Sequence, residues 1–290
     1  MKIKILVSGA TGQLGFALKS ISSLYPELEL NFTDRNQLDL ALIDPTHLPD
    51  FLHTSHYDYY IHAAAYTSVD LAEKEERQCY RINEIAVKYL AAHFSARGTK
   101  FIYISSDYVY HSAQNTPFTE TDIAQPKGVY ATSKLAGEEA VKNHTNQYLI
   151  FRTSWVYGEY GKNFIRTMDR LGREKDWIQV VFDQIGSPTW VLDLANMLLT
   201  LIREERTLNV CGTFNYSNEG VCSWYDLACA IMNQRGYAAK IIPVRTESYP
   251  LPAPRPPYSV MDKSYFKEVF NLEIPHWRAS LEKCLARLTN

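Results

Sequence analysis

Apolar residues in this chain come in short, β-branched runs separated by stretches with helical spacing. Residues 3–7 (IKILV) form such a run, closed by Ser8-Gly9, and predict a buried strand. From 13 to 24, Leu14, Ala17, Leu18 and Ile21 recur on one helix face. Residues 28–33 predict a second strand ending at Asp34-Arg35, 45–53 a short helix and 57–62 a third strand. A long helical pattern runs over 71–97 and stops at Gly98. Strands over 100–105 and 147–152 flank a helix over 130–143. Strands alternating with helices predict a parallel sheet with right-handed crossovers, and the apolar strands predict cover on both faces.

After residue 155 the pattern loosens. Residues 178–182 and 213–216 read as further strands and 224–234 as a helix. The run 249–257 (YPLPAPRPP) excludes helix and central strand, so it reads as an extended arm crossing a cleft. Two short helices then close the chain.

A length of 290 residues allows one large or two small domains. The formal net charge of −2 suggests neither a nucleic-acid groove nor a basic membrane patch. No stretch reaches 18 uncharged apolar residues, and Met1-Lys2-Ile3-Lys4 runs into a strand rather than a signal peptide. Cysteines at 79, 211, 222, 229 and 284 form no Cys-x-x-Cys pair and no zinc spacing, so no metal site is expected. An odd, scattered set reads as free thiols in a reducing compartment, and the expected location is cytoplasmic. Tyr outnumbers Phe 20 to 12; core packing with a polar tip accounts for this more readily than a lined cleft.

Three local patterns carry chemistry. Residues 9–15 (GATGQLG) follow the first strand and open the first helix. Gly9, Gly12 and Gly15 let the backbone turn tightly, and the helix start at Thr11, Gln13 and Leu14 offers amides to a pyrophosphate. This predicts a Rossmann-type doubly wound α/β sheet over 1–155, also receiving strands from about 187–217. A smaller C-terminal α/β substrate domain is expected mainly over 156–290, with the cleft between them at the carboxyl ends of the strands. Asp34, 19 residues past Gly15, suits a ribose 2′-hydroxyl, whereas Arg35 suits a 2′-phosphate. Ala63, Ala64 and Ala65 are small enough to let a ribose or diphosphate pass. Finally, Tyr130 and Lys134 stand one helical turn apart, 24 residues after Ser106. An ammonium near a phenol lowers its pKa, and a hydroxyl can hold the same substrate oxygen, so the trio suits proton transfer to a carbonyl. A Trp just after a strand, as at 155, is more often core than platform. Asn83 divides evenly between a helix-face amide and part of a proton relay, and His62 and His111 read as structural.

With Gly9, Gly12, Gly15, Ser106, Tyr130 and Lys134 in place, the chain resembles the extended short-chain dehydrogenase/reductase superfamily. Further strings narrow this: 63–73 (AAAYTSVDLAE) with Asn83, 105–110 (SSDYVY), 152–158 (RTSWVYG), Asn163-Phe164 and 183–189 (DQIGSPT). Together they resemble the dTDP-4-dehydrorhamnose reductase family, strongly over 3–190 and more loosely through Arg255-Pro256 and 259–262 (SVMD). The resemblance implies Tyr130 as proton donor, Lys134 as its partner and nicotinamide-ribose ligand, and Ser106, Asp107, Trp155 and Asn163 as sugar contacts. It implies that Asp39 and Leu40 line the cofactor site with Ala63, Ala64 and Ala65. The expected cofactor is NADPH, with NADH also used, and the expected partner a nucleotide sugar, bound by a monomer or homodimer. Ser106 and Ser8 replace threonines usual in the family, and the hydroxyls are kept. Some relatives bind magnesium at a dimer contact through a glutamate near 190–193, which here reads WVLD. Three alternatives stay open: a reductase of another nucleotide-activated 4-keto-6-deoxy sugar, an epimerase, or a non-catalytic NADP-binding regulator.

Overall fold

The computed structural model describes residues 2–288. Six parallel strands form the main sheet: β1 (Ile3–Ser8), β2 (Leu28–Thr33), β3 (Tyr59–His62), β4 (Lys100–Ser106), β5 (Tyr148–Thr153) and β6 (Gly212–Asn215). Their spatial order is β6-β5-β4-β3-β1-β2. The chain leaves β1 toward β2 on one side and returns to β3 on the other. The carboxyl ends of β1 and β3 therefore open a crevice, the usual place for a ligand in such sheets.

Strand β1 shows why both faces need cover. Ile5 and Val7 join a core with Leu14 and Leu18 of the helix Gln13–Ile21 and Leu194 and Leu198 of Val191–Arg203. Leu6, pointing the other way, joins Val87, Leu90 and Phe94 of Ala86–Ser95. Each such side chain contributes about 1.5–3 kcal/mol on burial. A one-residue register slip would exchange the two sets, so the pairing is strongly specified.

The second group of elements includes the helices Phe164–Glu174 and Trp224–Arg235 and the parallel pair Trp177–Val181 with Lys240–Val244. Ser223 and Asp226 form a capping box that starts Trp224–Arg235, and Gly236, at φ +68°, ends it. Asp169 ties these helices together by accepting from Arg235 Nε at 2.6 Å and the Tyr237 hydroxyl at 2.9 Å. The proline-rich arm is irregular, as expected, and binds back to the first layer. Arg255 Nη2 donates to Asp70 Oδ2 at 2.8 Å, and the Ala253 amide donates to Asp70 Oδ1 at 3.2 Å.

Local chemistry overrides the periodicity in three places. Over 45–53 only Asp50–Thr54 is helical, because Asp44 accepts from the Thr46 amide at 2.8 Å and makes a turn instead. The pattern over 71–97 breaks into Val69–Ala72, Glu76–Tyr80, a π-helical segment Arg81–Ile85 and Ala86–Ser95. The strand Lys240–Val244, which contains Pro243, was not expected. Among the described residues no helix is long and apolar enough to cross a membrane.

Candidate active site

A cleft of about 950 Å³ runs across the carboxyl ends of β1, β3 and β4. At one end lies the glycine-rich loop. Gly9 has φ +79°, and a Cβ there would sit 2.8–2.9 Å from the backbone of Ala63 and Ala64. The first and third strands can therefore approach closely only over glycine and small residues. Gly12 is the N-cap of Gln13–Ile21 and provides no side-chain cap, so the first amides of this helix have no side-chain acceptor. That is a cradle for an anion. Gly9, Thr11, Gly12, Gln13 and Leu14 line it. Gly15 does not: a Cβ there would come within 2.2 Å of the Gly9 carbonyl, so its place is to pack the helix against the loop.

Asp34, Arg35, Asp39, Leu40, Ala63, Ala64 and Ala65 line the same end. Asp34 Oδ1 accepts from the Asn36 amide at 2.8 Å, which fixes the turn after β2. Arg35 is three-quarters exposed, and its Nε donates to Asp39 Oδ2 at 3.2 Å. An exposed pair of this kind is worth about 0–1 kcal/mol. Its guanidinium is readily exchanged to a phosphate, a stronger bidentate partner. The loop, the small residues and this cation fit a dinucleotide.

At the other end Ser106 caps the single turn Asp107–Val109, accepting from the Tyr108 amide at 3.2 Å. Ser106 Oγ donates to Asp107 Oδ1 at 3.2 Å. Asp107 is buried, and its Oδ2 has no hydrogen-bond partner. Burial raises the Asp107 pKa to about 7. Asp107 lines the cleft, and a buried oxygen left without a partner is unusual in a fold. Tyr130 and Lys134 lie on the helix Val129–His144, whose first amide donates to Glu73 Oε1 at 2.8 Å.

Tyr130 departs from the sequence expectation. Its enclosure, with the Asp107 carboxylate adding, raises the phenol pKa to about 12, against a lowering by its hydrogen bond to Ser106. Lys134 does not acidify it here, because Lys134 Nζ turns aside to donate to the Ile104 carbonyl at 2.8 Å. Burial lowers the Lys134 pKa to about 7.

Trp155 closes the cleft. It takes φ +47°, a conformation rare for a bulky residue. Its ring stacks on Trp224 at 3.6 Å and 9°, and a Cβ at Gly186 would meet it at 2.7 Å. Trp224 is the main lining residue the sequence left out; it read only as part of a helix. Tyr108, Ser68, Val69 and Lys162 also line the cleft and were not expected.

One residue expected at the site is placed differently, and three others take the places described next. Asn163, expected at the sugar, does not line the cleft. It caps Phe164–Glu174, and its Nδ2 donates to Gln13 Oε1 at 3.0 Å and the Gly158 carbonyl at 2.8 Å. Asn83 is a buried clamp: it accepts from the Tyr66 amide at 2.8 Å and donates to Ser133 Oγ at 3.0 Å. Leu192 is buried, and half-buried Asp193 accepts from Asn218 Nδ2 at 2.7 Å.

The sequence pattern of the RmlD substrate binding domain family matches residues 2–290. The chain is 38% identical to the spore coat polysaccharide biosynthesis protein SpsK of Bacillus subtilis, over 97% of this chain and 96% of that protein. It is 37% identical to a dTDP-4-dehydrorhamnose reductase of Burkholderia thailandensis, over 99% of both chains. The crystal structure of dTDP-4-dehydrorhamnose reductase from Bacillus anthracis in complex with NADP superposes with a TM-score of 0.92, at 38% identity and 99% coverage of both. Similarity of sequence and of fold over nearly the whole length agrees with the geometry of the cleft, and the chain belongs to the dTDP-4-dehydrorhamnose reductase family.

Proposed function

We propose that this chain uses NADPH to reduce the C4 ketone of a nucleotide-linked 4-keto-6-deoxy sugar, converting dTDP-4-dehydro-β-L-rhamnose to dTDP-L-rhamnose. One observation carries the reading: Ser106, Asp107, Tyr130, Lys134 and Trp155 meet in one cleft whose far end is the glycine-rich cradle. The names of the relatives and the NADP held by the Bacillus anthracis structure support it.

When bound, the reduced nicotinamide supplies hydride. The chain supplies the proton and holds the charge. Tyr130 keeps its proton at neutral pH because its enclosure raises the phenol, so it is in the donating form. As negative charge grows on the sugar C4 oxygen, Tyr130 gives it that proton and Ser106 Oγ donates to the same atom. Lys134 binds the ribose beside the nicotinamide, and only on leaving the Ile104 carbonyl for that ribose does its charge come to offset the phenolate left behind. Asp107 Oδ2 accepts a sugar hydroxyl. The Trp155–Trp224 stack gives the sugar a flat apolar wall. Arg35 takes a 2′-phosphate and Asp34 a 2′-hydroxyl, which gives dual cofactor use with NADPH preferred. The elements after residue 155, apart from those that join the main sheet, serve as the substrate domain.

The test is steady-state oxidation of NADPH or NADH by the purified chain with dTDP-, UDP- and GDP-linked 4-keto-6-deoxyhexoses. Sustained, stoichiometric oxidation is expected with the dTDP sugar. Sugar conversion with no net cofactor oxidation indicates an epimerase, and no conversion of any sugar removes the enzyme reading.

A further inference from the structure

Lys134 presents a physical problem. Its side chain is only 2% exposed, and among the described residues no carboxylate oxygen lies within 4.0 Å of its Nζ. A buried ammonium without a partner costs several kcal/mol, and such a lysine normally loses its charge. Two groups meet it directly. The Ile104 carbonyl accepts its hydrogen bond at 2.8 Å, and the Tyr103 ring lies beneath it with Nζ 4.1 Å from the centroid.

The other groups around it do not take this place. Glu138, one turn on along the same helix, favours the charged lysine from a distance, but its oxygens are committed to Arg152 and to Ser105 Oγ and none touches the ammonium. Cys79, on the helix Glu76–Tyr80, has its thiol pKa raised by burial and is neutral. Tyr130 on the same helix holds its proton. His62 on β3 is held neutral, its pKa lowered to about 3 by burial and by Lys134 itself.

Tyr103 cannot move away. It is fully buried on β4 and stacks on His62 at 5.7 Å and 17°. Its hydroxyl donates to the Asn83 carbonyl at 3.4 Å and lies where a Cβ on Gly137 would come within 2.2 Å. The ring is therefore fixed from three sides, with one face left to the ammonium. The negative face of an aromatic ring attracts a cation, and does so more strongly when water is excluded.

We propose that Tyr103 is a positioning residue whose ring face seats the Lys134 ammonium and keeps it charged where no carboxylate touches it. The inference rests on the reading of Lys134 as the group beside the proton donor. Loss of the ring removes a contact that favours the charged form, so the lysine should lose its proton at lower pH.

The test follows the Nζ resonance of Lys134 through a pH titration of ¹⁵N-lysine-labelled protein, assigned with Lys134→Met. Tyr103→Leu should move the titration down by about half to one and a half pH units. Tyr103→Phe, which keeps the ring face, should remain near the wild-type value. The alkaline limb of kcat/KM should move with the resonance. An unchanged titration in Tyr103→Leu, or an equal shift in Tyr103→Phe, overturns the proposal. If the resonance moves and the pH–rate profile does not, Tyr103 keeps its role and the reading of Lys134 in the reaction fails. Should Tyr103→Leu not fold, progressively fluorinated phenylalanines at 103 decide, since they keep the shape and drain the ring face. A downward shift that grows with fluorination supports the proposal, and a flat series overturns it.

Discussion

Glu138 and Arg152 form a buried ion pair that ties the helix of Tyr130 and Lys134 to the main sheet, and Glu138→Leu tests what that tie is worth. Glu138 is 0% exposed. It accepts from Arg152 Nε at 2.9 Å, Arg152 Nη2 at 2.6 Å and Ser105 Oγ at 2.5 Å, so one carboxylate joins the helix Val129–His144 to β4 and β5. Leucine of similar size leaves no large cavity but strands a buried guanidinium and a hydroxyl. Breaking a buried pair on one side costs about 3–5 kcal/mol. For a chain of this size, that lowers Tm by roughly 5–15 °C. Removing both charges is a different perturbation. In Glu138→Leu/Arg152→Met the single proton of the Tyr110 hydroxyl still has an acceptor, the Thr119 carbonyl at 2.9 Å or Asn215 Oδ1 at 3.1 Å. The double variant should therefore recover the share due to the stranded guanidinium and leave only that of the Ser105 hydroxyl, because well-packed apolar replacements of buried pairs are close to neutral. Urea denaturation of the two single variants and the double variant gives the coupling energy directly. Strict additivity, or a loss below about 1 kcal/mol in Glu138→Leu, refutes the reasoning.

Other outcomes follow from the cleft. Tyr130→Phe should lower kcat by roughly 10²- to 10⁴-fold with cofactor affinity kept, and retention of more than about a tenth of wild-type kcat removes Tyr130 from the reaction. Arg35→Ala should cost about ten- to a hundredfold in kcat/KM for NADPH and little for NADH, since a charge-assisted hydrogen bond is worth about 1.5–3 kcal/mol; equal losses would show that Arg35 does not read the phosphate. Asp107 keeps its proton in the fold up to about pH 7, whereas the unfolded chain ionises in the usual carboxylate range, so its burial costs stability as pH rises through that window and the cost is complete above it. Asp107→Asn should thus raise stability at pH 8, by about 4 kcal/mol at most, and leave it nearly unchanged at pH 4, as read from paired urea titrations; equal gains at both pH values would count against it.

What the sequence showed was whatever is local along the chain. The GATGQLG loop announces its turn because only glycine fits at Gly9 and Gly15. The spacing of Tyr130 and Lys134 puts them on one helix face. Contacts made by folding were not legible. Trp224 reaches Trp155 from 69 residues further along the chain, and nothing in its own helix marks it as a wall of the cleft. Asn163 sits in a string typical of the family, yet its amide holds Gln13 and the loop before its helix. The spacing of Tyr130 and Lys134 could not reveal that Ile104 and Tyr103 draw the ammonium away. Nor could it show the enclosure that raises the phenol. Continuous periodicity over 71–97 also hid the π-helical segment that turns Asn83 toward Tyr66, because one extra residue in a turn leaves the apolar pattern almost unchanged.

The central claim is that this cleft reduces a sugar ketone and does not merely bind a nucleotide. It is tested most directly by the fate of deuterium when the chain turns over dTDP-4-dehydro-β-L-rhamnose with NADPH deuterated at the transferable C4 position. The account predicts one deuterium at C4 of the product sugar for each cofactor oxidised. A product without deuterium at C4, or sugar conversion with no cofactor consumed, would contradict it.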